Sequence, residues 1–179
     1  MAIRAVVFDC GGVLLRDGDL AAYGAWEERL DLPQGELTRR LWTGETWKMA
    51  EVGQITDAEF WRRVGKDLGI TDPAEVDRLR EDLWNTWVID ERVLSLVERA
   101  GRQYRVAMLS NATDALEDLL QDRYGVADRF EAIVNSARVG IAKPEPGIYE
   151  AMLRKLGLEA SDVLFVDDRA ENIAAAARL

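Results

Sequence analysis

The chain has 179 residues, of which 48% are hydrophobic and 31% are charged, an ordinary composition for one globular domain or for a core with an insertion. Its net charge of −10 argues against unassisted binding to nucleic acid or anionic lipid. No apolar stretch approaches the roughly 20 residues that span a bilayer. From the charge we expect no binding to nucleic acid, and from the lack of such a stretch we expect a cytoplasmic protein that does not bind membranes. It does not predict an oligomeric state.

Two residue types are absent or nearly absent. The chain has no histidine, and Cys10 is its single cysteine. Histidine general bases, histidine-containing triads and histidine-bound metals are therefore excluded, as are an intrachain disulfide and a cysteine-rich metal site. Catalysis must rely on carboxylates, Lys, Arg, hydroxyl groups, the backbone or a metal bound by oxygen.

The first predicted element is a strand at residues 5–8, because this apolar run has no polar alternation and suits a parallel sheet covered on both faces. Asp9 follows at the carboxyl end of the strand, and Gly11 and Gly12 come next. Ligands of open α/β sheets bind at that edge, and a glycine pair lets backbone N–H groups approach a small anion. We interpret Asp9 as a nucleophile for phosphoryl transfer; in isolation the stretch would also suit an ordinary turn.

A helical pattern follows Leu15 for about seventy residues, with no convincing strand among them. Helices are predicted at residues 20–30 and over 36–51, then after Thr56, which begins a capping box with Glu59, and after Asp72, with Pro at the first helical position. All six tryptophans lie in this insertion: Trp26, Trp42, Trp47, Trp61, Trp84 and Trp87. Most are expected in its core, and Trp47, beside Lys48, is the candidate for a pocket wall facing Asp9.

From Asp90 onward, helices alternate with strands. Strands are predicted at residues 104–109, 131–134 and 163–166, and helices are predicted after Asp90 and Thr113, from Pro146 to Gly157, and around Ile173. This alternation predicts an α/β fold with a Rossmann-like parallel sheet. The core would comprise residues 1–15 and 90–179, and residues 16–89 would form an inserted all-helical cap. Eleven residues follow Asp168, so no fifth strand is expected.

Each later junction between strand and helix carries polar residues suited to a phosphate ester. Ser110 and Asn111 could hold phosphate oxygens at a helix N-terminus, although both are also common cap residues. Lys143, before a proline, has a fixed direction and could reach both phosphate and nucleophile. If Asp167 and Asp168 converge with Asp9, the three carboxylates require a cation, and Mg²⁺ suits oxygen ligands.

These four sites, in this order and each after the appropriate strand, resemble the haloacid dehalogenase-like (HAD) hydrolase superfamily, and the position of the insertion resembles its subfamily I. The resemblance covers essentially the whole core. The glycine pair after Asp9, residues 51–56 leading to 59–61, and Val139-Gly140 before Lys143 are most similar to a branch with sugar-phosphate phosphatases and the N-terminal phosphatase domain of soluble epoxide hydrolases.

The resemblance implies a phosphatase acting on a small phosphorylated metabolite through an aspartyl-phosphate on Asp9. It also implies Mg²⁺ bound by Asp9, the Gly11 carbonyl and Asp167 or Asp168. The phosphoryl oxygens would be held by Ser110, Asn111 and the backbone N–H of Gly12, and Lys143 would offset the developing charge.

Most phosphatases of this superfamily carry a general-acid Asp where this chain has Gly11, and general acid catalysis typically raises the rate about 10²–10⁴-fold. The departure predicts a slow enzyme, a good leaving group, or an acid taken from the cap or the substrate, with Asp17 and Asp19 as candidates.

Other interpretations stay open at this point. A dehalogenase would use Asp9 without a metal, which the paired Asp167 and Asp168 oppose. A phosphonatase would need a Schiff-base lysine in the cap, where Lys48 and Lys66 lie. Cys10 and Arg16 have the minimal spacing of tyrosine phosphatases, without the usual histidine and with the glycines misplaced. A protein that kept the metal and phosphate site but lost turnover would be a binding scaffold.

Overall fold

The computed structural model describes residues 2–179, which form two sheets and ten α-helices. The strands are β1 Ala5–Phe8, β2 Leu15–Asp17, β3 Trp87–Ile89, β4 Arg105–Ser110, β5 Ala132–Asn135 and β6 Val163–Val166. The helices before β4 are α1 Ala21–Arg29, α2 Glu36–Thr43, α3 Glu45–Glu51, α4 Asp57–Asp67, α5 Pro73–Trp84 and α6 Glu91–Ala100. The later helices are α7 Leu116–Asp118, α8 Ser136–Val139, α9 Pro146–Leu156 and α10 Ala170–Ala176.

The main sheet has four parallel strands in the order β5-β4-β1-β6. Strand β1 lies in the middle, where Val7 pairs with Ala107 on one side and with Phe165 on the other. All four residues of β1 are buried, as expected for a strand covered by helices on both faces. The predicted α/β fold with a parallel sheet is therefore confirmed. Its topology places the ends of β1, β4 and β6 at one edge.

The prediction that residues 16–89 contain no strand is wrong. Strands β2 and β3 form a two-stranded antiparallel sheet in which Leu15 pairs with Ile89 and Asp17 with Trp87. Each has three residues, too few for an alternating pattern to be recognised, and their partners are more than sixty residues apart in the sequence. This sheet joins the start of the helical segment α1–α5 to its end.

The helical segment has a hydrophobic cluster of its own, which includes Trp26, Leu37, Phe60 and Leu79. Its predicted caps are present in part. The Thr56 side chain accepts a hydrogen bond from the backbone N–H of Glu59, and the Asp72 side chain accepts one from Ala74. The carboxylate of Glu59 pairs with Arg62 and Arg63, so the reciprocal half of the capping box is not formed.

The helix predicted after Thr113 begins later, at Leu116, and continues as a π-helical turn over Leu119–Arg123. The Thr113 hydroxyl donates to Asp57 Oδ1 at 2.8 Å instead of serving as the N-cap, so it links the end of β4 to the start of α4. Asp57 is itself buried, and its backbone N–H donates to Asp114 Oδ1 at 2.7 Å. The Thr113 hydroxyl also accepts from the Ala115 N–H at 3.4 Å, so it makes a long-range contact in addition to a local one. Among residues 2–179, no helix is long and apolar enough to cross a membrane.

Candidate active site

Asp9 lies immediately after β1 and is 6% exposed. Its Oδ1 atom accepts hydrogen bonds from the Cys10 backbone N–H at 2.7 Å and pairs with Lys143 Nζ at 2.8 Å. Burial raises the pKa of Asp9 to about 6, against the opposing charge and hydrogen bond of Lys143. The carboxylate is thus held in a fixed orientation and in an environment that disfavours its charge.

Lys143 is buried among oxygen atoms from three strand ends. Its Nζ lies 2.8 Å from Asp9 Oδ1 and 2.7 Å from Asp167 Oδ2, and it donates to the Leu109 carbonyl at 3.0 Å. The Asn111 side chain fixes the backbone of Lys143, because it accepts from the Lys143 N–H at 2.8 Å and donates to the Lys143 carbonyl at 2.9 Å. Sequence reasoning assigned Asn111 to phosphate and missed this positioning contact.

Three carboxylates meet beside Lys143. Asp9, Asp167 and Asp168 each place one oxygen within 4.8 Å of the others. Asp167 already accepts three hydrogen bonds: its Oδ1 accepts from the Arg169 N–H and from Asn172, and its Oδ2 accepts from Lys143. Burial acts to raise the pKa of Asp167, but the hydrogen bond and charge of Lys143 outweigh it and hold that pKa below its usual value. Asp168 is the exposed member of the cluster. Such an oxygen-only set fits a hard divalent cation.

Gly12 allows this cluster to form. Its φ is +80°, and a Cβ atom there would lie 2.4 Å from Asp168 Oδ2. A side chain at this position would therefore displace Asp168. The Gly12 N–H donates to the Leu15 carbonyl at 2.7 Å, and its role in binding a phosphoryl oxygen stays a prediction. Gly11, next to it, has room for a side chain, since an added Cβ would meet only the Trp87 ring, at 3.8 Å.

A cavity of about 560 Å³ opens over Asp9 and is lined by Gly11, Ser110, Asn111, Lys143 and Asp168. Its far wall is mostly aromatic: Tyr23, Trp42, Trp47, Phe60, Trp84 and Trp87. Trp47 thus lines the same cavity as Asp9, in agreement with the sequence. Five of the six tryptophans do so, more than expected; Trp26 instead donates to Asp82 Oδ2 inside the helical segment.

The two acids considered as proton donors lie in different places. Asp17 lines the cavity at the end of β2. Asp19 accepts a hydrogen bond from the backbone N–H of Ala21 at 2.9 Å, at the start of α1. Glu51, at the end of α3, also lines the cavity, and Asn111 Nδ2 lies 3.4 Å from its Oε2 atom. Sequence reasoning missed Glu51, because that contact joins elements sixty residues apart.

The cysteine chemistry suggested by the spacing of Cys10 and Arg16 is unfavourable here. Cys10 is 3% exposed, and burial together with the charge of Asp9 raises the pKa of its thiol far above the usual range. The thiolate is the nucleophilic form, so Cys10 would stay unreactive at neutral pH. Arg16 pairs with Asp90 at 3.1 Å.

Comparisons with known proteins identify the family of this chain. Residues 3–179 match the family described as haloacid dehalogenase-like hydrolase. A sesquiterpene phosphatase of Aspergillus oryzae is 27% identical over 175 residues, 97% of this chain and 84% of that protein. The bifunctional epoxide hydrolase 2 of Sus scrofa is 29% identical over 190 residues, 94% of this chain but 33% of that protein.

Among solved structures, a HAD family enzyme of Bacteroides thetaiotaomicron, in complex with magnesium and inorganic phosphate, has a TM-score of 0.82. It is 24% identical, and the match covers 99% of this chain and 90% of that one, so the two share a fold. The family match extends from the first strand through the acidic pair after β6. The chain belongs to the haloacid dehalogenase-like hydrolases.

Proposed function

We propose that this hydrolase is a Mg²⁺-dependent phosphatase, in which Asp9 attacks the phosphorus of a phosphate monoester and forms an aspartyl-phosphate that water hydrolyses. The observation that carries the proposal is the meeting of Asp9, Lys143, Asp167 and Asp168 at one sheet edge. The phosphatase named among its relatives and the fold neighbour solved with magnesium and phosphate support it.

The proposed Mg²⁺ ligands are Asp9, the Gly11 carbonyl, and Asp168 or Asp167. Asp168 is the better candidate of the pair, because Asp167 already accepts hydrogen bonds from three donors. When bound, the ion would offset the negative charge of the phosphoryl oxygens and the carboxylates.

The remaining roles follow from contacts of the protein. The Cys10 N–H and Lys143 both hold Oδ1 of Asp9, so Oδ2 is the proposed attacking atom. Lys143 would stabilise charge on the phosphoryl group during transfer. The Ser110 hydroxyl, at the end of β4 and on the cavity wall, would donate to a phosphoryl oxygen, while Asn111 would act mainly by positioning Lys143.

We propose that the alcohol released is apolar. Residues 16–89 would act as a cap over a core of residues 1–15 and 90–179, and the cap supplies most of the aromatic wall of the cavity. A sugar needs many hydrogen-bonding partners, whereas tryptophan rings favour hydrocarbon or aromatic groups. The relative named a sesquiterpene phosphatase supports this substrate class.

The phosphatase proposal is tested with p-nitrophenyl phosphate. We expect phosphate release that requires Mg²⁺, stops in EDTA, and falls at least about a thousandfold in Asp9→Asn. Phosphate binding without turnover would favour a scaffold instead, and metal-independent hydrolysis of a 2-haloacid would favour a dehalogenase.

The substrate class is tested with a series of n-alkyl phosphates, whose leaving groups have nearly equal acidity. Each buried methylene contributes about 0.8 kcal/mol, so kcat/KM should rise about fourfold per carbon until the cavity is full. Trp84→Ala should flatten this rise, since Trp84 is a half-buried part of the wall. A higher kcat/KM for glucose phosphate than for hexyl phosphate would contradict the assignment.

A further inference from the structure

The proposed reaction releases an alcohol, and a proton must reach the ester oxygen as its bond to phosphorus breaks. Gly11 offers no acidic group at the position beside the nucleophile. A proton donor supplied by the protein would therefore be another residue on the cavity wall. This inference rests on the proposed phosphatase function.

The acids on that wall differ in their existing contacts. Asp9 and Asp168 belong to the carboxylate cluster. Asp57 accepts a hydrogen bond from Thr113 and pairs with Arg80 at 3.1 Å, so its carboxyl group is already engaged in contacts between elements. Asp17 is exposed at the end of β2. Glu51 differs from all four: it is half-buried at the end of α3, and its carboxylate lies 3.4 Å from the Asn111 amide that holds Lys143.

We propose that Glu51 is the general acid and base of this enzyme, taking the role that an acidic residue at position 11 would otherwise fill. Its contact with Asn111 places the carboxyl group near the end of β4, in the cavity that the aromatic residues also line. A leaving oxygen between phosphate and apolar group would lie in this region.

The groups that face Glu51 are compatible with a proton-carrying role. Burial raises the pKa of Glu51, against opposing effects of the Trp47 side chain, the charge of Arg169, the Asn111 amide and the charge of Lys48. Lys48 is exposed on α3, and Arg169 lies in the loop after β6. The carboxyl group therefore keeps its proton to a higher pH than it would in water.

The two half-reactions balance. In the first, an Asp9 oxygen bonds to phosphorus, the ester P–O bond breaks, and the Glu51 carboxyl proton passes to the leaving oxygen. In the second, the Glu51 carboxylate takes a proton from water as the water oxygen bonds to phosphorus. The acyl–phosphate P–O bond breaks, and Asp9, inorganic phosphate and protonated Glu51 are regenerated.

The test compares two leaving groups, because a missing acid affects a poor one far more than a good one. In Glu51→Gln, kcat/KM for hexyl phosphate should fall about 10²–10⁴-fold, but that for p-nitrophenyl phosphate less than about tenfold. The parameter kcat/KM reports steps up to alcohol release, so loss of water activation does not obscure the comparison. Glu45→Gln, exposed at the start of the same helix, is the matched control and should change neither value.

A second variant separates chemistry from structure. Because position 11 has room for a side chain, Gly11→Asp in the Glu51→Gln background should restore much of the lost hexyl phosphate activity. Equal losses on both substrates, with no rescue, would show that Glu51 only supports the contact with Asn111 and would overturn the inference. A wild-type protein that hydrolyses neither ester would overturn the phosphatase proposal itself.

Discussion

Lys143 Nζ lies 2.8 Å from Asp9 Oδ1, and the two side chains are only 1% and 8% exposed. A buried carboxylate is unfavourable unless a charge and hydrogen bonds compensate it. Lys143 supplies this compensation to Asp9 and Asp167 at once, and Asn111 fixes its backbone. The acidic site can therefore fold before any cation binds.

Lys143→Met should both destabilise and inactivate the protein. Removing one partner of a buried ion pair typically lowers the free energy of unfolding by about 3–5 kcal/mol. Here both Asp9 and Asp167 lose the Lys143 ammonium group. Activity should fall at least about a hundredfold. Lys66→Met, at an exposed position in α4, is the control for urea unfolding and should leave stability nearly unchanged. Equal stability of the two variants would contradict this account.

Gly12→Ala should harm the site more than its backbone conformation alone explains. A left-handed conformation costs an L-residue about 1–2 kcal/mol. Gly125→Ala is the control for this conformational cost, because Gly125 has a φ of +63° and an added Cβ there would have no atom within 4 Å. At Gly12 the Cβ would also displace Asp168, so the Mg²⁺ concentration for half-maximal activity should rise in that variant alone. An unchanged Mg²⁺ requirement would remove Asp168 from the proposed ligands.

Asp9→Asn should stabilise the metal-free protein near neutral pH, because Lys143 keeps Asp167 as an ion-pair partner in this variant. The pKa of Asp9 is raised in the folded state, from 3.8 to about 6, so its favourable contribution is complete below the lower value and is lost as pH rises through the upper one. Ionised Asp9 is therefore less favourable in the folded protein than protonated Asp9, and a neutral Asn avoids this cost.

Thermal unfolding in EDTA measures this effect. The melting temperature of Asp9→Asn should exceed that of the wild type at about pH 7.5, and the difference should shrink at about pH 4.5, where wild-type Asp9 is mostly protonated. Asp77→Asn, an exposed position in α5, is the control. A variant less stable than the wild type at both pH values would show that Asp9 is not destabilising.

Thr113→Val should weaken the attachment of α4 to the end of β4. The Thr113 hydroxyl donates to buried, charged Asp57 at 2.8 Å, and hydrogen bonds to charged groups contribute about 1.5–3 kcal/mol. Thr43→Val removes an exposed hydroxyl bound to the Arg39 carbonyl and should cost less than about 0.5 kcal/mol. Similar unfolding free energies for both variants would contradict the role of this contact.

The parts of the fold that sequence predicted are those with strong local signals. Strands β1, β4, β5 and β6 lie within one residue of their predicted positions, because continuous apolar runs mark strands of a buried parallel sheet. Parallel topology then brings Asp9, Lys143 and Asp167 to one edge. Their spatial meeting was therefore predictable, although their catalytic roles stay predictions.

The parts that sequence missed depend on long-range contacts. Strands β2 and β3 are too short to show a period and exist because they pair with each other. The Thr113 hydroxyl donates to Asp57, which is 56 residues away in the sequence, and Thr113 is not the N-cap of the following helix. The contact between Asn111 and Glu51 joins two segments whose sequences carry no sign of it.

The central claim is that Asp9 itself attacks phosphorus. The most direct measurement is to quench the enzyme with acid during turnover of p-nitrophenyl phosphate and to map phosphoryl groups by peptide mass spectrometry. The account predicts a phosphoryl group on Asp9 that is absent from Asp9→Asn. A phosphoryl group on Cys10, or undiminished turnover by Asp9→Asn, would contradict it.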